Sequence, residues 1–337
     1  MIEGWVHTAF PVDDASRVGE ARRHAAALAR ELAWDDVDAG RLALVVTELA
    51  TNLLRHAKKG RLLVAAKPQF DEVEVLAIDH GPGMPNVAQS MGDGFSTGST
   101  PGTGLGAVRR LAQQFDIHSS TAHGTVVLAR VASQRAPRRA RDGRLQLGAI
   151  ALCAPGETVC GDGWAACLDG PRAAVMLADG LGHGPAAAQA ARAATEVFGR
   201  DPFGDLRGTL GQAHSELRTT RGAAVTALQA DAHAGTVRSA GAGNVIARIV
   251  AGDSDRTLLS QHGTIGVQVR RLEEVPAQWP AHAVLVLHSD GIEGRWASAL
   301  LHPMLAHDPT LAAAVLMREH LRGRDDATVI VVRRGHS

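Results

Sequence analysis

The sequence predicts an α+β protein in two layered parts: an N-terminal α/β sandwich, then a β-sandwich flanked by helices. Three observations predict it. Two segments of helical periodicity precede a run of strands in the first 130 or so residues. Beyond residue 145 short β-rich runs outnumber helical ones and are separated by turn signals. Between them lies "SQRAPRRARDGR", Ser133 to Arg144, basic, proline-containing and without apolar periodicity. The domains are therefore expected at 1–132 and 145–337, with 133–144 as linker.

In the first part, "ASRVGEARRHAAALARELA" places Val18, Ala21, Ala25, Leu28 and Leu32 on one helical face. "AGRLALVVTELATNLLRHA" does the same with Leu42, Val45, Leu49 and Leu53. Two strands follow in "RLLVAAK" and "EVEVLAIDHGPG", then a Gly/Ser/Thr-rich loop, the helix "GAVRRLAQQF", and strands around Ile117 and Val126. A sheet with helices on one face satisfies that order. In the second part the strand-like runs "AAVMLADG", "GAAVTALQAD", "GTVRSAGAG", "NVIARIVAG", "AVLVLHSDG" and "ATVIVVRR" are joined by hairpin turns such as "DAHAG". The helices expected there are Pro185–Phe198, Leu206–Leu217 and Thr310–Leu321. Two packed antiparallel sheets with outer helices fit this pattern.

Composition narrows the function classes. Lys+Arg and Asp+Glu are both 35, so no net field draws the chain to nucleic acid or an anionic membrane. The five arginines of the linker lack interleaved aromatics and read as a solvated connector. No apolar run reaches the roughly 20 residues of a membrane span, and no leader-like segment opens the chain. Cys153, Cys160 and Cys167, spaced by seven, suit neither a disulfide framework nor a short Cys-x-x-Cys metal site. They read as reduced thiols of a cytoplasmic protein.

Chemistry concentrates in two constellations. On the second helix Glu48 and Asn52 lie four apart, with His56 one turn on, giving a polar stripe on an apolar helix. "DHGPG", Asp79 to Gly83, ends a strand with a carboxylate followed by two glycines. "GTGLG", Gly102 to Gly106, opens a helix whose bare amides and positive dipole end suit phosphate oxygens. The ordered set Glu48/Asn52, Asp79-x-Gly81-x-Gly83, Gly102-x-Gly104-x-Gly106 and Gly124-Thr125 resembles the GHKL ATPase family over residues 10–131, and within it the RsbW/RsbT group of serine kinases. The resemblance implies an ATP site with Mg²⁺: Asp79 on the adenine amino group, Asn52 holding the metal and Glu48 as base. Gly81, Gly83, Gly102, Thr103, Gly104, Leu105, Gly106 and Thr125 would line the cofactor. Phosphoryl transfer suits such residues because it is mostly positioning and charge neutralisation. A module that binds ATP without turnover remains the alternative.

The second constellation is acidic: Asp162 in "CGDGW", Asp179 in "ADGLGHG", Asp290 in "HSDGIEG" and Asp325-Asp326 in "GRDDATV". Asp179 and Asp290 end apolar runs and Asp325-Asp326 begin one. Carboxylates gathered at one rim of a sandwich repel unless cations sit between them, and oxygen donors suit Mg²⁺ or Mn²⁺. Together with "SAGAGN" and "HGTIGV", this order resembles the SpoIIE family of PPM-type metal-dependent serine/threonine phosphatases, RsbX-like, over residues 145–334. The resemblance implies a PPM-type αββα sandwich in which Asp179 bridges two metals. The Gly180 carbonyl, Asp162, Asp290 and Asp325 complete the metal shells, with Asp326 the alternative to Asp325. His183 is a candidate proton donor to the leaving serine oxygen or a stabiliser of its loop. By resemblance the fused chain would act on STAS-domain phosphoproteins in a partner-switching pathway controlling a sigma factor or another output. An anti-sigma or scaffold module, in which ATP only sets conformation, is the competing class.

Overall fold

The computed structural model describes residues 1–91, 104–136, 145–252 and 254–335. It contains two compact units, His7–Arg139 and a second made of Met1–Val6 with Ala140–Ser337.

In the first unit, helices Ala15–Glu31 and Asp36–His56 start at aspartate caps. Asp14 accepts from the Ser16 amide, and Asp35 from the amides of Val37 and Asp38. They cover an antiparallel sheet whose strands lie in the order Thr8–Pro11, Arg61–Lys67, Glu72–Ile78, Gly124–Ala132, Gln114–Ser120. Alternate residues Val73, Val75 and Ala77 of one strand and Val127, Ala129 and Val131 of the next face the helices. There they meet Leu42, Val45, Leu49 and Leu53, the stripe expected from the sequence, each at most 4% exposed. With the apolar stripe buried, the helix Asp36–His56 keeps Glu48 and Asn52 partly exposed.

The second unit holds two large antiparallel sheets and a two-stranded one, Gly263–Thr264 with Gln268–Val269. One large sheet has the order Ile2–Glu3, Asp162–Asp169, Arg172–Gly180, Ala223–Asp231, Thr236–Ala242, Val275–Gln278. The other large sheet runs Ser254–Leu258, Ile246–Ala251, Val284–His288, Ala327–Arg334, Leu145–Leu152. Ala174, Met176 and Ala178 turn one way, into a cluster with Ala190, Ala191, Ala194, Val197 and Phe198 of the helix Pro185–Arg200 and with Leu206 and Leu210 of the helix Leu206–Glu216. Ala173, Val175 and Leu177, equally buried, turn the other way. The helix Pro309–His320 packs on the second sheet against Leu145–Leu152 and Ala327–Arg334. This is the expected α+β sandwich with helices outside.

The N-terminus departs from the expected 1–132 domain. Ile2 and Glu3 pair antiparallel with Ala166 and Ala165. The Trp5 ring stands edge-on to Trp164 at 4.6 Å, and the Trp5 carbonyl accepts from the Trp164 indole N–H at 3.4 Å. Two residues are too short a strand for periodicity to reveal, so the pairing is invisible in the sequence. Of the expected linker, 137–144 lies outside the described residues.

Candidate functional site

In the first unit the two helical polar residues and the opening of the helix Gly104–Leu111 are neighbours. A Cβ placed on Gly104 would stand 3.3 Å from Asn52 Nδ2 and 3.4 Å from Glu48 Oε2. The first amides of this helix have no intrahelical acceptor, so Glu48 and Asn52 lie beside a ready anion-binding end. Leu105 and Gly106 continue that turn, both partly exposed; Gly102 and Thr103 lie outside the described residues. Asp79 is held by backbone: its Oδ1 accepts from the Gly81 amide at 2.5 Å and the Thr125 amide at 3.4 Å. Its own amide donates to the Thr125 carbonyl at 2.9 Å. Gly124 has φ +89°, and a Cβ there would lie 2.3 Å from the Asp79 carbonyl oxygen, so only glycine lets the two strands close around Asp79. Gly83 packs as tightly on Ser120, and the Thr125 hydroxyl lies 2.8 Å from Ser119 Oγ, which accepts from the Met84 amide. His56, on the same stripe as Glu48, is exposed and contributes its carbonyl beside Gly81.

In the second unit the expected aspartates meet at one rim. Asp162 and Asp179 are direct cross-strand partners. Asp290 lies just past the strand Val284–His288, and Asp325 and Asp326 just before its neighbour Ala327–Arg334, so the antiparallel pairing returns all of them to one end. Ser289 joins the sheets there: its hydroxyl donates to Asp162 Oδ2 at 2.7 Å and accepts from the Thr328 amide at 2.9 Å. Asn244, at the end of "SAGAGN", donates to Asp290 Oδ2 at 2.6 Å. Gly180 continues the Asp179 strand; its amide donates to the Gly161 carbonyl, and a Cβ on it would fall 2.1 Å from the Ala187 carbonyl oxygen. The helix Pro185–Arg200 thus presses directly on the strand that carries Asp179.

The electrostatics are those of a crowded, partly buried acidic rim. Burial, reinforced by Asp162, Asp290, Asp325 and Asp326, pushes the Asp179 carboxyl up to about 9. Burial likewise raises Asp162 to about 7, although the Ser289 and Thr328 hydrogen bonds work the other way. Asp290 is raised by burial and then by Asp325, and Asp326 chiefly by burial. Asp162 Oδ1 is buried with no hydrogen-bond partner among the described residues. Acidic oxygens that repel one another and leave one buried acceptor without a donor fit hard divalent cations.

Sequence reasoning missed the groups that hold these residues. Glu157 Oε1 lies 2.6 Å from His183 Nδ1, giving the loop histidine a carboxylate partner. Ser289 adjoins Asp290 in "HSDG" and Asn244 closes "SAGAGN", yet neither position announces which aspartate it grips. Cys153 and Cys160 also come together, beside Asp326.

Comparison with known proteins agrees with both halves. Residues 10–131 match the histidine kinase-like ATPase domain family, and residues 169–335 match the stage II sporulation protein E (SpoIIE) family. The chain is 35% identical over 111 residues to the serine/threonine-protein kinase RsbT of Bacillus subtilis (strain 168), a match spanning 32% of this chain and 84% of that protein. Among solved structures, a chain from the bacterial stressosome, a modular system adapted to control secondary messenger signalling, is similar at TM-score 0.52 and 29% identity, covering 56% of this chain and 100% of that one. RsbX in complex with magnesium shares the fold at TM-score 0.51 and 18% identity, over 57% of this chain and 96% of that chain. No described helix is long and apolar enough to cross a membrane. The chain belongs to the histidine kinase-like ATPase family through residues 10–131 and carries, fused to it, a SpoIIE-family PPM-type phosphatase domain.

Proposed function

We propose that the second unit hydrolyses phosphoserine or phosphothreonine on a STAS-domain protein with Mg²⁺ or Mn²⁺, and that the first unit binds ATP with Mg²⁺ and phosphorylates a partner of the same class. The observation that carries the phosphatase reading is the cross-strand pair Asp162 and Asp179, surrounded by Asp290 and Asp325, with Asp162 Oδ1 buried and unanswered. Asp162, Asp179, Asp290, Asp325 and the Gly180 carbonyl would hold the cations. Cations bound there would neutralise the phosphoryl oxygens and acidify the attacking water. Ser289 and Asn244 fix the orientation of Asp162 and Asp290, and the helix behind Gly180 leaves the Asp179 strand little room to move. His183, held by Glu157, lies in the bend that follows the Asp179 strand and would deliver a proton to the serine oxygen as it leaves.

For the kinase reading, Asp79 would receive the adenine amino group, Asn52 the magnesium, and the Gly104–Gly106 amides the phosphates, with Gly102 and Thr103 completing the loop. Glu48, beside Gly104, would accept the hydroxyl proton as base. The identity to RsbT, named a serine/threonine kinase, supports turnover over mere binding. A cytoplasmic partner-switching pathway, ending in a sigma factor or another output, is the setting this pairing of domains suits.

The test uses a phosphoserine STAS protein with Mn²⁺. Wild type releases phosphate and Asp179→Asn does not; undiminished release by the variant overturns the cation assignment. With radiolabelled ATP and the dephosphorylated partner, wild type labels the partner and Glu48→Ala does not. Tight ATP binding with no label from either protein would favour the binding-only module.

A further inference from the structure

The three sulfur and oxygen donors behind the acidic rim form a site of a different character. Cys153 follows the strand Leu145–Leu152, Cys160 precedes the strand Asp162–Asp169, and Asp326 leads into Ala327–Arg334. Antiparallel pairing of Ala327 with Leu152 brings the first and last of these segments together. One ligand atom from each of Cys153, Cys160 and Asp326 lies within 4.8 Å of the others. Cys160 and Asp326 are buried at 7% and 3% exposure, whereas Cys153 is partly open to solvent. Asp326 Oδ1 accepts from the Ala154 amide at 2.8 Å, but Oδ2 is buried with no hydrogen-bond partner among the described residues. That oxygen lies against Gly161, the residue between Cys160 and Asp162.

We propose that Cys153 Sγ, Cys160 Sγ and Asp326 Oδ2 form a binding site for a thiolate-preferring divalent cation, Zn²⁺, separate from the oxygen-lined rim of Asp162, Asp179, Asp290 and Asp325. Tetrahedral zinc with Zn–S near 2.3 Å and Zn–O near 2.1 Å holds its ligands roughly 3.5 to 3.8 Å apart. Donors already within 4.8 Å therefore need to close by about 1 Å at most, which cysteine χ1 rotation supplies. The fourth position falls to water on the Cys153 side. On binding, each thiol gives its proton to solvent and the two thiolates and one carboxylate donate to the metal. Ligand softness sorts the ions: two sulfurs select zinc, and the all-oxygen rim takes Mg²⁺ or Mn²⁺. A Cys153–Cys160 disulfide would satisfy the sulfurs and leave Asp326 Oδ2 unanswered, whereas a cation accounts for all three donors. Such an ion would tie the approach to Asp162 to the segment of Asp325.

Cobalt(II) is the probe, because thiolate ligation gives a near-ultraviolet charge-transfer band and tetrahedral geometry gives visible bands that an oxygen site lacks. The full chain, chelator-treated and reduced, is titrated with Co²⁺ and then with Zn²⁺. Both sets of bands should appear, be bleached by Zn²⁺, persist in Asp179→Asn and vanish in Cys153→Ser. Circular dichroism shows whether Cys153→Ser, at the more open position, retains the fold, and Asp326→Asn provides a second variant expected to need at least tenfold more cobalt to develop the thiolate band. No thiolate band in wild type, or a band unchanged in Cys153→Ser, overturns the proposal. So does a protein that takes up no cobalt and, before reduction, presents Cys167 as its only titratable thiol, the signature of a disulfide.

Discussion

Asp179→Asn should stabilise the metal-free protein while abolishing its use of metal. Without cations the Asp179 carboxyl is held protonated up to about 9 against an ordinary 3.8. A group raised on folding contributes its full stability below its unfolded value and loses it as pH climbs toward the folded one. At pH 7 the unfolded chain has released this proton and the folded chain has not. The interval from 3.8 to 7, at about 1.4 kcal/mol per pH unit, is a cost of about 4 kcal/mol. An asparagine at 179 carries no ionisation and removes that cost. With about 2 to 4 °C per kcal/mol for a unit of this size, the transition of the phosphatase unit should rise by on the order of 10 °C in the variant at pH 7. The gap should shrink toward pH 5. The assay is thermal unfolding in chelator from pH 5 to 8, followed by Mn²⁺ addition, which should raise wild type far more than Asp179→Asn. Superimposable melting of the two proteins at every pH would refute the electrostatic reading of the site.

Three further outcomes follow from the same geometry. Ser289→Ala strips Asp162 Oδ2 of its donor and should cost about 2 kcal/mol of stability and 10- to 100-fold in Mn²⁺ affinity, measured by unfolding and calorimetric titration. Gly124→Ala forces a Cβ to within 2.3 Å of the Asp79 carbonyl oxygen at φ +89°, so ATP affinity should drop at least tenfold and the first unit should lose more than about 1 kcal/mol, while phosphatase activity is retained. Glu74→Gln removes the carboxylate shared by Lys67 Nζ at 2.5 Å, Arg130 Nε at 2.6 Å and His7 Nε2 at 3.2 Å; leaving buried cations short of a partner should destabilise the first unit by roughly 3 to 5 kcal/mol in denaturant titration.

Much of this was legible because both domains write their chemistry at element ends. Periodicity located Glu48 and Asn52 on the solvent side of an otherwise buried helix, since Leu42, Val45, Leu49 and Leu53 define the other side. The aspartates could be collected at one rim because a carboxylate ending one strand and another starting its antiparallel neighbour must face the same way. What stayed hidden depends on contacts with no local signature. Ile2–Glu3 reaches its partner strand across some 160 residues of chain with only two residues of pairing. The buried charges of Lys67, Glu72, Glu74 and Arg130 read as ordinary polar positions of strands, and only the assembled sheet shows them enclosed. Cys153 and Cys160, seven apart, match no ligand spacing because a strand end, a loop and a strand start separate them, not a single turn.

With the proposed function the two sites would meet a phosphate group with opposite electrostatics, and this sets what divalent cations would do for each. Near Gly104 a phosphate would face backbone amides at a helix start, attractive on their own, with Glu48 set beside Asn52. Around Asp179 the carboxylates of Asp162, Asp290, Asp325 and Asp326 add to burial, strongly enough to keep its proton on near neutrality. A phosphoprotein approaching this rim without cations is repelled, and the repulsion grows as pH rises and the aspartates ionise. Metal and proton therefore compete for the same carboxylates, so cation affinity at the phosphatase rim should rise with pH and level off as Asp162, about 7, and Asp179, about 9, lose their protons. Among the described residues the kinase-like site gathers no such cluster, and its nucleotide affinity should change little over that range. A calorimetric titration of Mn²⁺ at pH 6, 7 and 8, in buffers of different ionisation enthalpy, counts the protons released. Release of protons that diminishes in Asp179→Asn supports the competition, and binding without proton release at any of these pH values contradicts it.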